Sequence, residues 1–256
     1  MILKQRYFIE LAYNGTRFHG WQIQPNATTI QESLEYALST ICREKTDVTG
    51  AGRTDTGVHA RYFVAHFDSA HETLDHPDFV HKLNSFLSAD IAVFGLTKVG
   101  PGAHARFDAV SRTYHYFIHQ RKDPFSRETS GYFPRPLNLE KMNEACAVLS
   151  AYSDFTSFSK LHTDVKTNLC KIYVARWIRK EGQLILTIQA DRFLRNMVRA
   201  IVGTMVQLGQ EKITIVDFRR IIDSKDRSAA GASAPPEGLF LTDIAYPEGV
   251  FRRTTR

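Results

Sequence analysis

The sequence has few cysteines and no long hydrophobic run. Only Cys42, Cys146 and Cys170 occur among 256 residues, and no two of them form a Cys-x-x-Cys pair. This count, in a chain that starts without an apolar leader, predicts buried thiols in a reducing cytoplasm. No run of about 18 apolar residues is present, so a membrane-spanning helix is not expected. We therefore expect a soluble, cytoplasmic protein without a membrane partner.

The sequence also lacks the common signatures of nucleotide and metal sites. It contains no phosphate-binding loop of the Gly-x-x-x-x-Gly-Lys-Ser/Thr type, no Gly-x-Gly-x-x-Gly and no His-Glu-x-x-His. His59, His66 and His71 do not have the spacing of a ligand set. These absences predict a protein without a metal site.

The charge is basic, with a formal net value of +6 and a pI of about 9.2. Such an excess suits a polyanionic partner, because each phosphate that Lys or Arg neutralises releases condensed counterions. The excess is moderate, and many basic proteins bind no nucleic acid. The charge therefore suggests a nucleic-acid partner without establishing one.

The hydrophobic pattern changes between the periods of strands and helices along the chain. It predicts strands over residues 6–12, 48–49, 61–68, 91–99, 111–119, 171–179, 184–190 and 239–246. It predicts helices over 29–41, 79–87, 139–149, 192–208 and 214–224. The two halves repeat this theme, and a polar stretch at 105–111 lies between them. The pattern predicts an α+β protein with helix-covered sheets.

The densest stretch without periodicity is 50–60, which combines three glycines with Arg53, Asp55 and His59. Glycines permit positive φ angles and close approach of another backbone or a ligand. A carboxylate among basic groups can act as a nucleophile or a base without a cofactor. The alternative is a tight turn between strands with a solvated aspartate.

Aromatic residues near basic ones form a second candidate feature. Phe18, His19 and Trp21 follow the first predicted turn, and Tyr114 lies close to Arg112. Such rings stack on unpaired bases while arginines bind the phosphates. The alternative is that these rings belong to the core.

Three arginines, Arg192, Arg195 and Arg199, recur at spacings of three and four residues. This spacing places them on one side of the predicted helix 192–208. They form either a basic binding face or an ordinary solvated face.

Six segments in the same order resemble the motifs of the tRNA pseudouridine synthase A family. The central one is Gly52-Arg53-Thr54-Asp55-Thr56-Gly57-Val58-His59, which resembles the Gly-Arg-Thr-Asp-x-Gly-Val-His signature. The other five segments are Tyr13–Gln22, His104–Tyr116, Asp154–Phe158, Phe193–Arg199 and Ala234–Leu241. The resemblance covers nearly the whole chain.

The resemblance implies two ferredoxin-like halves, residues 1–107 with the aspartate loop and residues 108–256. They form a continuous mixed or antiparallel sheet with helices on one side and a basic RNA-binding cleft. It also implies a homodimer that needs no cofactor and converts uridine to pseudouridine at positions 38, 39 and 40 in the anticodon stem-loop of tRNA.

The resemblance also assigns roles to four residues. Asp55 matches the catalytic aspartate, and Tyr114 matches the tyrosine that packs on the target base. Arg53 matches an arginine that displaces the target nucleotide, and Arg199 matches the basic residue that pairs with the aspartate.

Two other functions fit parts of the pattern. One is a catalytically inactive RNA-binding protein of the same fold. The other is a hydrolase of nucleosides, which needs a second carboxylate to activate water. Asp68 and Asp108 are the candidates for that carboxylate.

Overall fold

The computed structural model describes residues 4–160, 167–251 and 253. They form two compact units, one from the described residues of 1–110 and 241–256, the other from those of 111–240. The last part of the chain thus belongs to the same unit as the first part. The division of the protein into two ferredoxin-like halves, 1–107 and 108–256, stays a prediction.

The first unit contains two long antiparallel strand pairs and two helices. Its elements are β1 (Gln5–Tyr13), α1 (Ile30–Cys42), β2 (Thr49–Gly50), β3 (His59–Ser69), α2 (Pro77–Phe86) and β4 (Ile91–Val99). β1 pairs antiparallel with β3 and with β4, and β2 pairs antiparallel with β3. The strand order β4-β1-β3-β2, with the chain order β-α-β-β-α-β, is the ferredoxin-like arrangement.

Helix α1 begins where its sequence predicts. Thr29 is the N-cap, and its side chain accepts a hydrogen bond from the backbone N–H of Glu32 at 3.3 Å. Ile30, Leu34 and Leu38 are fully buried on the predicted apolar stripe. The helix ends at Arg43, which adopts a left-handed conformation with φ of 54°. Burial of the stripe fixes the helix on the sheet.

The second unit repeats the order of strands and helices. Its elements are β5 (Ser111–His119), β6 (Gly131–Tyr132), α3 (Leu139–Leu149), β7 (Ile172–Lys180), β8 (Gln183–Ala190), α4 (Met197–Gly209) and α5 (Ile215–Ser224). The last strand, β9 (Leu239–Ala245), belongs to the first unit from Leu241 onwards. β8 pairs antiparallel with both β5 and β7, and the short β6 runs parallel to β5. The order β-α-β-β-α is therefore present in both units.

Two short sequence signals in this unit agree with the local backbone. Glu181 and Gly182 have φ angles of 50° and 80° in the turn between β7 and β8, as a type I′ hairpin requires. Thr214 and Asp217 form a reciprocal capping box at the start of α5. Short-range signals of this kind need no tertiary context.

The predicted start of α4 at Arg192 is wrong. The helix begins at Met197, because Asn196 at its N-cap has a left-handed φ of 65°. The backbone N–H of Arg192 instead donates to the Asp191 side chain at 2.7 Å. Arg192 and Arg195 therefore precede the helix and share no helix face with Arg199.

The predicted α+β class is confirmed by nine strands and five α-helices in the described residues. Among the described helices, none is both long and apolar enough to cross a membrane. All three cysteines are buried as free thiols. Burial raises the pKa of Cys42 to about 11 and those of Cys146 and Cys170 to about 12, which keeps the thiols protonated.

Candidate active site

The loop that carries Arg53 and Asp55 connects β2 to β3 in the first unit. Its ends are tied by Ala51, whose N–H donates to the Val64 carbonyl at 2.8 Å, and by Val58, whose N–H donates to the Asp55 carbonyl at 3.1 Å. The second bond closes a turn directly after Asp55. The carboxylate thus projects from a closed turn that is anchored on a buried strand.

A segment near the N-terminus supports this loop from the other side. The N–H of Trp21 donates to the Thr54 carbonyl at 3.1 Å, and the N–H of Gly57 donates to the Phe18 carbonyl at 3.3 Å. The Tyr13 hydroxyl lies 2.9 Å from Thr54 Oγ1. These bonds bracket Asp55 on both sides in sequence, so they hold its backbone.

Two glycines allow this segment to touch the loop. A Cβ at Gly15 would lie 2.0 Å from the Val58 carbonyl oxygen, and one at Gly20 would lie 2.5 Å from the Thr54 carbonyl oxygen. Gly20 also has a φ of 85°, which side chains rarely permit. The segment and the loop therefore interlock through their backbones.

Side chains of the loop alternate between the interior and the solvent. Arg53 is exposed and Asp55 is half-buried, whereas Thr54 and His59 are buried. His59 Nδ1 accepts a hydrogen bond from the N–H of Gly15 at 3.1 Å, so this nitrogen carries no proton. His59 thus supports the loop, while Arg53 and Asp55 reach the solvent.

The interpretation of Phe18 and Trp21 as stacking surfaces for RNA is wrong. Phe18 is 6% exposed and Trp21 is 3% exposed. Trp21 stacks on Phe63 with 4.2 Å between ring centroids, and its ring also packs against Gly50. Both rings pack beneath the loop. Among Phe18, His19 and Trp21, only His19 is exposed.

Tyr114 lies on β5 in the second unit, where it pairs with Ile188 of β8. Its ring is half-buried and meets the ring of Phe193 edge to face, at 5.2 Å and 89°. Tyr116, two residues later on the same side of the strand, is fully buried and donates to the Pro235 carbonyl at 2.8 Å. Burial raises the pKa of Tyr116 above its usual value, so it remains a donor. Tyr114 is the tyrosine of this pair that reaches the solvent.

Arg199 lies in the first turn of α4 and is held by the segment 231–235. Its Nε donates to the Ala234 carbonyl at 2.8 Å, and the Ala234 N–H donates to the Arg199 carbonyl at 2.9 Å. A Cβ at Gly203, one turn further, would lie 1.8 Å from the Ala232 carbonyl oxygen. The helix accepts this segment only because residue 203 has no side chain.

Further hydrogen bonds attach the same segment to its surroundings. Asn196 Nδ2 donates to Ser233 Oγ at 2.6 Å, and the N–H of Gly231 donates to Thr204 Oγ1 at 2.9 Å. Arg227 donates to the Gly231 carbonyl at 3.1 Å and to Ser233 Oγ at 3.0 Å. The sequence analysis missed these supporting residues, since polar contacts between distant segments have no periodic signal.

The structure argues against the hydrolase. Asp68 forms two hydrogen bonds with Arg6, at 2.7 and 2.8 Å, and these lower the pKa of its carboxyl group. Asp68 lies near the end of β3. At roughly 3.3 Å per residue it is about 30 Å along the strand from His59, the first residue of β3. Asp55 precedes that residue. Asp108 Oδ2 accepts a hydrogen bond from the N–H of His104 at 2.7 Å, so both carboxylates support local structure.

The predicted site residues are distributed over both units. Arg53 and Asp55 share one loop of the first unit, and Tyr114 and Arg199 lie in the second unit. In the described part of the chain, no group of three or more His, Cys, Asp or Glu side chains has the arrangement of a metal site. The candidate chemical groups are a carboxylate, a phenol and two guanidinium groups.

Comparison with known proteins gives one consistent result. A family model described as tRNA pseudouridine synthase matches residues 11–108 and 145–247. The tRNA pseudouridine synthase A of Bacteroides fragilis is 56% identical over 248 residues, which is 96% of this chain and 98% of that protein. The protein of the same name from Clostridium acetobutylicum is 39% identical over 241 residues, or 93% and 98% of the two chains. The chain therefore belongs to the tRNA pseudouridine synthase family.

Proposed function

We propose that this protein converts uridine to pseudouridine at positions 38, 39 and 40 in the anticodon stem-loop of tRNA. The name of its relatives, tRNA pseudouridine synthase A, gives the reaction and the class of substrate. We further propose that the protein works in the cytoplasm as a homodimer. The basic sequence supports an RNA substrate, because an RNA backbone attracts positive charge.

The reaction balances without any other reagent. The bond between uracil N1 and the sugar C1′ breaks, and a bond between C5 and C1′ forms. C5 loses a proton and N1 gains one, so no atom or electron is added. This isomerisation needs acid–base and nucleophilic groups and no redox cofactor or metal. The side chains named above supply such groups.

Asp55 is the catalytic carboxylate in this proposal. Its half-buried side chain reaches the solvent from a turn that is hydrogen-bonded on both sides. A fixed backbone keeps the carboxylate in the direction that it needs for attack or proton transfer, which favours the transition state. The interlocked loop around Asp55 is the observation that carries the proposal.

Of the other three residues, Tyr114 and Arg53 bind the target nucleotide and Arg199 acts on the catalytic carboxylate. Tyr114 packs its exposed ring edge or face on the uracil, and Phe193 holds the tyrosine ring by the edge-to-face contact. Arg199 stabilises the negative charge of Asp55, and the Ala234 carbonyl fixes its direction. Arg53 is exposed and takes the space or the phosphate of the displaced nucleotide.

The first experiment uses unmodified tRNA with uridines in the anticodon arm. The parent protein and Asp55→Asn are incubated with it without added metal, and pseudouridine is mapped by carbodiimide treatment and primer extension. We expect stops at positions 38 to 40 with the parent and none with the variant. If the folded parent binds tRNA but forms no pseudouridine on any substrate, the proposal fails and the inactive RNA-binding protein remains.

A further inference from the structure

The loop between β5 and β6 presents the most exposed aromatic ring among the described large hydrophobic residues. Phe125 is 93% exposed, although most phenylalanines of this chain are buried. None of the proposed catalytic residues lies in this loop. Exposure of a whole phenyl ring to water is unfavourable, so a ring this exposed indicates a surface that binds another molecule.

The loop has a defined shape. Asp123 accepts hydrogen bonds from the N–H of Phe125 at 3.0 Å and from Ser126 Oγ at 2.5 Å. These bonds lower the pKa of the Asp123 carboxyl group. The N–H of Thr129 donates to the Ser126 carbonyl at 3.2 Å. Two consecutive turns therefore hold the Phe125 ring away from the body of the unit.

Both ends of the loop are anchored. After the loop, β6 pairs with the end of β5, and the N–H of Phe133 donates to the His119 carbonyl at 3.0 Å. A Cβ at Gly131 would lie 2.6 Å from the Tyr116 hydroxyl oxygen. The exposed ring of Tyr132 stacks on His119 at 5.1 Å and 23°. The loop is thus fixed to buried residues on both sides.

The charge of the surface is positive. Arg121, Lys122 and Arg127 are exposed in the same loop as Phe125. Of the two acidic residues between 120 and 130, Asp123 is used in the turn, and Glu128 is the other. Residues 111–240 contain 20 Lys and Arg and 13 Asp and Glu, which gives them a formal net charge of +7. The rest of the chain carries −1, so the whole sequence has its net charge of +6. The loop lies in the basic part of the chain.

We propose that the loop 120–130 is a second RNA-binding surface, in which an unpaired base stacks on Phe125 and phosphates contact Lys122 and Arg127. Exposed rings between cations match the faces of bases and the charge of their backbone. A protein partner would favour a wider apolar patch, which the surrounding cations interrupt. This inference rests on the proposed function for the identity of the RNA as tRNA.

The surface is separate from the nucleotide that reacts. Tyr114 and His119 are five residues apart on β5, which corresponds to about 17 Å at roughly 3.3 Å per residue. The loop begins beyond His119. It therefore contacts nucleotides some distance from the target uridine, and contributes to affinity without entering the chemical step.

The test measures tRNA binding without turnover. Dissociation constants for unmodified tRNA are determined by filter binding in the Asp55→Ala protein at several salt concentrations. Phe125→Ala is expected to weaken binding about tenfold and to leave the salt dependence unchanged, because it removes stacking and no ionic contact. Lys122→Gln and Arg127→Gln are each expected to lower the slope of log K against log salt by about 0.7 to 0.9.

Matched controls lie in the first unit. Tyr36→Ala removes a ring that is 66% exposed, and Lys82→Gln removes an exposed cation. Neither is expected to change binding by more than about twofold. Phe125→Tyr keeps an aromatic face and is expected to bind as the parent does.

Two outcomes would overturn the inference. One is unchanged binding by Phe125→Ala, and the other is an equal loss in the two control variants. If the sedimentation coefficient of Phe125→Ala changes while its affinity for tRNA does not, the loop contacts a second copy of the chain instead. If the parent binds tRNA through this loop but forms no pseudouridine, the proposed function fails while the surface stands.

Discussion

Arg199 and Ala234 hold each other through two hydrogen bonds, one from the Arg199 Nε and one to the Arg199 carbonyl. The first bond fixes the direction of the side chain, and the second fixes its backbone to the segment 231–235. The position of the guanidinium group therefore depends on residues more than 30 positions away in sequence. Changes in that segment should affect activity without touching Arg199 itself.

Gly203→Ala is expected to lower both stability and activity. Alanine favours a helix over glycine by about 1 kcal/mol, but its Cβ would lie 1.8 Å from the Ala232 carbonyl oxygen. The segment must move, and overpacking of this kind costs about 1 to 3 kcal/mol. We expect a net loss of about 1 to 2 kcal/mol in the free energy of unfolding, measured with urea.

The same variant should have a lower kcat for pseudouridine formation, because Ala234 moves with Ala232 and releases Arg199. Gly102→Ala is the control, since a Cβ at Gly102 meets no atom within 4 Å. Parent-like stability and kcat in Gly203→Ala would contradict the close packing of helix α4 against this segment.

Gly20→Ala tests the interlock around Asp55. Its Cβ would lie 2.5 Å from the Thr54 carbonyl oxygen, and φ of 85° is strained for alanine. The Asp55 backbone should shift, and a displacement of about 1 Å can lower kcat by about 100-fold. Single-turnover rates at saturating tRNA measure this loss.

Gly52→Ala is the matched control, because Gly52 lies in the same loop and its Cβ would have open space. It should retain most of the rate. Equal rates in both variants would show that the interlock has no influence on catalysis. Circular dichroism of the two proteins separates a local shift from unfolding.

His66 makes the stability of the first unit dependent on pH. Burial lowers its pKa from 6.5 to about 4, with His104 and Arg6 adding to the effect and Asp68 and Asp108 opposing it. Because Nδ1 accepts a hydrogen bond from the N–H of Ala105 at 3.1 Å, the folded state needs the neutral ring. The stabilisation is complete above pH 6.5 and is lost as the pH falls towards 4.

The expected loss is on the order of 2 kcal/mol between pH 7 and 4. His66→Asn offers an amide oxygen to the same N–H and does not titrate, so its unfolding free energy should fall less over this range. Urea unfolding of both proteins at intervals of half a pH unit measures the difference. The Arg6–Asp68 pair is present in both proteins, and because the pKa of Asp68 is lowered, its stabilisation declines in both as the pH approaches and passes below 3.8, so it cancels in the difference. Parallel curves would mean that His66 is not the titrating group.

The sequence predicted those elements in which local signals agree with the final packing. Strand β5 and helix α3 have the predicted bounds, because the alternating face of β5 is buried from Tyr116 onwards and the apolar stripe of α3 is buried along the helix. Helix α4 was predicted to start five residues too early. Phe193 continues the apolar stripe, but the left-handed conformation of Asn196 ends the regular backbone there, and hydrophobic spacing carries no information about φ.

The candidate site was only partly visible in the sequence. The glycines and charges of 50–60 identified the loop, and the resemblance identified Asp55 among them. Gly15 contacts Val58 and Gly20 contacts Thr54, which are 43 and 34 residues away in sequence, and no spacing rule connects such segments. The sequence left the place of Trp21 open, because an aromatic residue near a turn fits a binding surface and a core equally well. The structure decides for the core, since Trp21 is buried beneath the loop.

The backbone contacts at Gly15 and Gly20 hold the loop that carries Asp55 in place. The substrate must therefore undergo the conformational change that brings the two together. A loop hydrogen-bonded on both sides of Asp55 cannot close over an incoming nucleotide, so the enzyme gains little by induced fit at this point. In the proposed reaction the uridine leaves its helical stack to reach Asp55, at an unfavourable free energy of a few kcal/mol. Uridines in weakly stacked positions of an RNA should then react faster than those in stable helices, whatever their sequence.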